Sequence, residues 1–458
     1  MMAERNVQYG PSHSHQPLGW GFWRNCLLLG LWMFLSLDSA AAHLEGLLVE
    51  QNDAFSPSDP SPPTPSVRYA VVIEGGSTGT RLHIHAFSVS SRYLSTAFYR
   101  NAAGSGSLPS LHTYSERPED VTKSLGPLIE HALDAIPATQ HACTPLFMRA
   151  SAGIRLLSPP HWDGLLSSVE KFLRDSSVSP FPVPHDGVGI MEPGEDMMYA
   201  WIAARHLLQD SNDVAILSLG GGNAEVVFEP SVGFDDYKYS LRLGNRTHDV
   251  YRRTFDHTGL HTLRQQVYSH IVGVSHDARI SNPCIAKGKT EYATLYPGVY
   301  EGGTYIMDGT AIGDYEACTT IVDTMLAPTF DNANILIIDP RTQIWLMWYY
   351  TDRIQPLLTE EDDLQTITVG KIAGLAQTVC AGPEAWADVW GASKIVDRLS
   401  QRPSWCLDLT IIHRVLTNGF RLEAAREVMV GRSVAKTEPH WTIGAAMQLM
   451  QNTPGVCR

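Results

Sequence analysis

Ala70-Val-Val-Ile-Glu-Gly-Gly-Ser-Thr-Gly-Thr-Arg-Leu-His-Ile84 and Val214-Ala-Ile-Leu-Ser-Leu-Gly-Gly-Gly-Asn-Ala-Glu-Val-Val-Phe228 follow one plan. Each is an apolar run closed by a polar residue, then a glycine-rich turn with hydroxyl or amide side chains, then a second apolar run. Either alone reads as a tight β-hairpin, because Gly-Gly most often serves the turn itself. Two copies about one lobe apart read as a pair of anion cradles, since glycine lets successive backbone N–H groups turn toward a phosphate with no Cβ in the way. Gly76, Ser77, Thr78, Gly79 and Thr80 of the first turn, and Gly220, Gly221, Gly222 and Asn223 of the second, are therefore candidates for phosphate contact.

Around the hairpins short β-branched runs alternate with longer amphipathic ones, which predicts an α/β fold. Strands are expected over Tyr69–Glu74, Arg81–Phe87, Leu146–Ala150, Val214–Leu219, Ala224–Phe228 and Ile335–Ile338, and helices over Val121–Ala135, Trp162–Asp175, Glu195–Leu208, Asp362–Cys380 and Leu409–Leu416. His83 and His85 alternate with Leu82 and Ile84 and so share one strand face. A chain of 458 residues exceeds one ordinary core, which implies two lobes. A composition 44% hydrophobic and 18% charged is that of a globular protein. The formal net charge of -14 excludes a general binder of DNA or RNA, which needs lysine and arginine in excess. A small phosphate ester stays within reach where backbone amides, a few arginines and a metal supply the positive field.

Residues 1–42 read as a targeting segment. An apolar run from Cys26 to Leu37 follows Arg24 and leads into Ser39-Ala40-Ala41-Ala42, a small-residue cleavage site. The run is short against the about 20 residues of a membrane span. It is thus a cleaved signal peptide or, with Trp20, Phe22 and Trp23 extending it, an uncleaved membrane anchor. Residues 43–66 form a Ser/Pro-rich stem, and the folded body starts near Val67. With Cys26 set aside, six cysteines enter an oxidising lumen and read as bridges, with Cys284–Cys318 and Cys380–Cys406 expected. The sequon Asn245-Arg246-Thr247 fits the same compartment.

The chain resembles the apyrase, or nucleoside triphosphate diphosphohydrolase, family, and within it is similar to the Golgi guanosine diphosphatases of fungal type. Five segments carry the resemblance in the family's order: Glu74 to Arg81, Arg149-Ala-Ser-Ala-Gly-Ile-Arg155, Gly194-Glu-Asp-Met-Met-Tyr-Ala-Trp201, Ser218 to Glu225, and Trp441-Thr-Ile-Gly-Ala445. The resemblance implies an actin-like fold of two RNase H-like lobes with a nucleotide cleft between them. Lobe I would span 67–192, with 436–458 returning to it, and lobe II 193–435. It further implies hydrolysis of nucleoside di- or triphosphates in the secretory pathway, with Ca2+ or Mg2+ held largely through water by an acidic residue of each turn. A third-segment carboxylate would take a proton from the attacking water. Arg81 and Arg155 match family arginines, Ser151 keeps the hydroxyl of a usual threonine, and Tyr350 would stack on the nucleobase.

Departures fall on the carboxylates. Glu74 stands for the usual aspartate of the first turn, Asp196 for the usual glutamate of the third segment, and Ser218 for the usual aspartate of the second turn. Asn223 and Glu225 replace a serine and a glutamine. Each change of side-chain length moves a carboxylate by roughly 1 Å, which can cost on the order of 100-fold in rate. Glu225 could return the charge lost at Ser218 from the other strand of the hairpin. Glu195 competes with Asp196 as the base, and because neighbours on a helix diverge by about 100°, only one of them faces the cleft. The competing function is a nucleotide-binding protein that has lost most activity; a structural or adhesive protein would leave the two hairpins unexplained.

Overall fold

The computed structural model describes residues 67–76, 79–88, 95–96, 100–101, 108–150, 159–209, 213–244, 246–275, 277, 279–295, 303–310, 314–358, 362–434 and 436–452. The targeting segment, the stem, Ser77, Thr78, Ser151, Arg155 and Asn245 lie outside the described residues.

The first sheet begins with β1 (Val67–Gly76) and β2 (Gly79–Ser88), an antiparallel hairpin in which Glu74 faces Arg81 and Gly76 faces Gly79. Short strands β3 (Ser95–Thr96) and β4 (Arg100–Asn101) pair with β2. On the other side β5 (Leu146–Ala150) joins β1 in parallel, followed by β6 (Val188–Ile190). The second sheet repeats this plan. Strands β7 (Val214–Leu219) and β8 (Asn223–Phe228) form its antiparallel hairpin, extended by β9 (Lys238–Leu243) and β10 (Arg246–Asp256) in the order β7-β8-β10-β9. Strands β11 (Arg279–Asn282), β12 (Thr290–Leu295) and β13 (Gly303–Gly309) make a small separate sheet. Then β14 (Gln343–Trp348) runs parallel beside β7, with β15 (Leu364–Thr368) and β16 (Glu427–Gly431) beyond it. In both sheets the glycine hairpin's first strand is flanked in parallel by a later strand, so the internal likeness read from the two turns extends to whole sheets.

Helices cover both faces of each sheet. Val71, Ile73, Leu82 and Ile84 pack with α1 (Thr122–Ala135) and α2 (Pro159–Leu173). The opposite face, through Ala70, Val72 and Phe87, packs with α3 (Glu195–Leu207). The outer face of the second sheet meets α4 (Leu260–Ser275), α5 (Tyr315–Phe330), α6 (Val369–Ala381) and α7 (Trp405–Arg414). Val214, Ile216 and Val227 on its inner face share the core of α3 and α8 (Trp441–Asn452). Helix α3 is therefore enclosed on all sides, and Met197 to Ala204 are all buried, which explains why its sequence lacks a polar face. A Cβ on Gly444 of α8 would fall 1.9 Å from the Tyr199 carbonyl oxygen, so glycine is what lets the two helix backbones touch. The expected bridges are present, Cys284–Cys318 and Cys380–Cys406. Two sheets of this plan make the actin-like two-lobed α/β fold.

Two expected elements differ. Ile335–Ile338 is not a strand, because β14 takes the ladder position beside β7, and Ile337 is left 80% exposed. The helix expected over Asp362–Cys380 opens as β15, whose Leu-Gln-Thr-Ile-Thr alternation suits an edge strand; the Thr368 side chain then caps α6 by accepting from the Lys371 N–H.

Candidate active site

The β7/β8 turn is built against α4. Gly220 N–H donates to the Asn223 carbonyl at 2.9 Å, closing the hairpin. The Gly220 carbonyl accepts from Leu260 N–H at 2.9 Å, and the Gly221 carbonyl from His261 and Thr262 N–H at 3.0 and 3.1 Å. In a trans peptide the carbonyl and the next N–H point oppositely, so the amides of Gly221 and Gly222 turn away from α4. A Cβ on Gly259 would meet Asn223 N at 2.3 Å, which is how the turn comes to lie so close to the helix.

The β1/β2 turn is fixed from its other side. Thr80 is buried, donates its N–H to the Leu108 carbonyl at 3.0 Å and its hydroxyl to the Pro109 carbonyl at 2.8 Å. Both donors expected for phosphate are thus committed to anchoring the loop, and Thr80 is an anchor and not a phosphate ligand. Glu74, at the end of β1, lies 3.7 Å from the Arg81 guanidinium and 3.2 Å from His83 Nε2. His83 stacks on His440 with ring centroids 5.1 Å apart. Burial pushes the Glu74 carboxyl up, yet the His83 hydrogen bond and neighbouring positive charge outweigh it, and the group sits below its ordinary value.

Glu195 and Asp196 open α3 and separate as their helical step requires. Glu195 is buried; one oxygen accepts from Tyr199 hydroxyl at 3.0 Å and Arg149 Nε at 3.3 Å, the other from Glu192 N–H at 2.9 Å. A carboxylate saturated in this way braces the segment leading into α3 and ties the helix to β5, so Glu195 has a positioning role and not the role of candidate base. Asp196, half-buried, acts instead on Glu225 of β8. Glu225 is 7% exposed and takes a hydrogen bond from Thr254 Oγ1 at 3.0 Å. Burial first and the Asp196 charge second push its carboxyl up to about 7, against the opposing pull of Thr254 and Arg252.

At the adjoining carboxyl end of β14, Trp348 pairs in register with Leu219. Its backbone has φ 61° and ψ -123°, an uncommon conformation for a bulky residue, and its indole is 54% exposed. A cavity of about 230 Å³ there is lined by Trp345, Met347, Trp348, Asp352, Arg432 and His440. The carboxyl edge of parallel strands is where α/β sheets take ligands.

The model of the GDA1/CD39 (nucleoside phosphatase) family matches residues 62–458. The chain belongs to the GDA1/CD39 nucleoside phosphatase family. It is 28% identical to a probable guanosine-diphosphatase of Aspergillus fumigatus, over 88% of this chain and 88% of that one. The guanosine-diphosphatase of Saccharomyces cerevisiae is 27% identical over 93% and 89% of the two chains, and the ectonucleoside triphosphate diphosphohydrolase 5 of Gallus gallus 26% identical over 93% and 97%. Among solved structures, nucleoside triphosphate hydrolases from Neospora caninum share the fold, with a TM-score of 0.60 at 13% identity over 85% of this chain and 93% of that one.

In this nucleoside phosphatase Tyr350 does not offer a stacking face. It is 0% exposed, in the core of the second sheet, and among the described residues its hydroxyl has no hydrogen-bond partner. Tyr349 packs on His261 at 4.9 Å and under the Arg353 guanidinium at 5.1 Å. The aromatic surface open at this edge is Trp348, which sequence reading passed over; three aromatics in succession gave no sign of which would turn outward.

Proposed function

We propose that this chain hydrolyses nucleoside diphosphates, GDP and UDP foremost, and nucleoside triphosphates, releasing phosphate in the secretory lumen or outside the cell. The observation that carries the reading is the placing of Glu225 on the inner sheet face beside the Gly220–Gly222 turn, within electrostatic reach of Asp196 at the start of α3. Carboxylates beside outward-turned amides give a base and an anion cradle in one place. The names of the relatives support the substrate class. Gly221, Gly222, Asn223, Gly76 and Gly79, with Ser77, Thr78 and Arg81, hold the phosphates in the cleft between residues 67–192 with 436–458 and residues 193–435. Asp196 accepts a proton from water as the water oxygen bonds to phosphorus and the bridging P–O bond breaks. Ser151 helps orient that water, Arg155 supports the cradle, and Trp348 takes the base-stacking role first expected of Tyr350.

A divalent cation, Ca2+ or Mg2+, fits the oxygen donors Glu74, Ser218 and Glu225. Among the described residues no three His, Cys, Asp or Glu side chains form a closed set of ligands. Such an ion supplies neutralisation of the phosphate charge that repels a nucleophile. Residues 1–42 deliver the chain as signal peptide or anchor. Among the described residues no helix is long and apolar enough to cross a membrane.

The test is phosphate release from GDP, UDP, ADP, GTP and ATP with Ca2+, Mg2+ or EDTA, against an Asp196→Asn control. Metal-dependent release lost in the control supports the reading. Absence of release from folded protein that still binds nucleotide overturns it and leaves the weakened binding protein.

A further inference from the structure

Side chains alternate across a strand, and β7 shows which face each residue takes. Ala215, Leu217 and Leu219 belong to the outer core of the second sheet, whereas Val214 and Ile216 pack with α3 and α8. Ser218 follows Ile216 by two positions and so faces α3, the helix that carries Asp196. On β8, Ala224, Val226 and Phe228 belong to the outer core and Val227 to the inner one, which puts Glu225 on the α3 face as well. Ser218 and Glu225 are direct cross-strand partners in the β7/β8 ladder. Opposed residues of an antiparallel pair have Cβ atoms about 4.5–5.5 Å apart on one face. A carboxylate removed from position 218 and supplied at position 225 has therefore moved across one rung of the ladder without leaving the face, the turn or the neighbourhood of Asp196.

We propose that Glu225, and not Ser218, is the carboxylate through which the second glycine hairpin holds the divalent cation, so that one cross-strand exchange has compensated for the missing acid at position 218. The inference rests on the hydrolase reading above. The side chain is oriented for such a role: Thr254 Oγ1 fixes Oε1 at 3.0 Å, the kind of outer contact that sets the direction of a ligating carboxylate and leaves the second oxygen available. Gly194 passes close to Thr254, where a Cβ, if present, would lie 3.3 Å from that hydroxyl. Gly194 has φ +75° and caps α3, so the residue that starts the Asp196 helix also makes room for the group that aims Glu225.

The experiment uses the full chain and four proteins: wild type, Glu225→Gln, Ser218→Asp and the exchange variant Ser218→Asp/Glu225→Gln. Thermal midpoints are read against Ca2+ or Mg2+ in the presence of methylenediphosphonate, a hydrolysis-resistant diphosphate with no nucleoside. Far-ultraviolet circular dichroism establishes that each variant is folded, and GDP hydrolysis is measured in parallel. Glu225→Gln is expected to weaken the apparent divalent affinity by roughly tenfold or more. The exchange variant is expected to recover it to within a few-fold of wild type. An unchanged midpoint response in folded Glu225→Gln overturns the proposal, as does an exchange variant no better than Glu225→Gln, or a wild type that does not respond to divalent ions. A wild type that responds to the ion through Glu225 yet releases no phosphate from any nucleotide removes the hydrolase reading and leaves the exchange standing.

Discussion

Replacing Glu225 with glutamine should make the metal-free protein more stable at alkaline pH and leave it little changed in mild acid. The carboxyl is displaced from 4.5 to about 7 in the fold, by burial and then by Asp196. A folded-state value above the unfolded one means that, as pH rises from 4.5, the unfolded chain releases its proton first. Stability therefore falls across the window from 4.5 to about 7 and stays low above it. At about 1.4 kcal/mol per pH unit the full loss approaches about 3.5 kcal/mol, roughly 300-fold in the folding equilibrium. Glutamine keeps the shape and still accepts from Thr254, but carries no charge to place beside Asp196. The assay is urea denaturation in EDTA at pH 5 and pH 8, with the disulfides intact. Wild type should lose up to about 3 kcal/mol more than Glu225→Gln between the two conditions. Parallel losses in the two proteins would refute the placement of a high-lying carboxyl at position 225.

Three further outcomes follow from the same geometry. Asp196→Asn should lower kcat for GDP by on the order of 100- to 10,000-fold with the fold retained, measured as phosphate release beside circular dichroism. Trp348→Ala should raise KM for nucleotides roughly three- to tenfold while leaving the affinity for methylenediphosphonate unchanged, because only a base needs a stacking face. Glu195→Ala should cost about 2–4 kcal/mol in denaturation, since it leaves the half-buried Arg149 and the buried Tyr199 hydroxyl without that acceptor.

What was legible in the sequence was whatever local chemistry dictates. The two glycine turns and the flanking strands could be read because a tight turn needs glycine and a half-buried strand alternates. Helix α3 could be placed from its acidic start, but not which of Glu195 and Asp196 turns inward. That choice is made by Arg149, which arrives from β5, far away in the chain. Thr80 was misread for a related reason: the carbonyls it binds belong to Leu108 and Pro109, which nothing near position 80 announces. That Tyr350 turns inward and Trp348 outward could not be read because the strand β14 was not foreseen, and without its register the direction of each ring is undetermined. The relation between Ser218 and Glu225 was open to sequence reading in principle, since counting outward from a closed hairpin pairs them.

The enclosure of α3 also has a consequence for how the protein is made. Ribosomes deliver α3 long before residues 441–452, and the glycine at 444 is what lets that last helix close onto the Tyr199 turn. Until that last helix docks, the apolar surface of Met197 to Ala204 stays bare on the side it covers. The inner core therefore closes only with residues 441–452, whatever the earlier sheets have achieved.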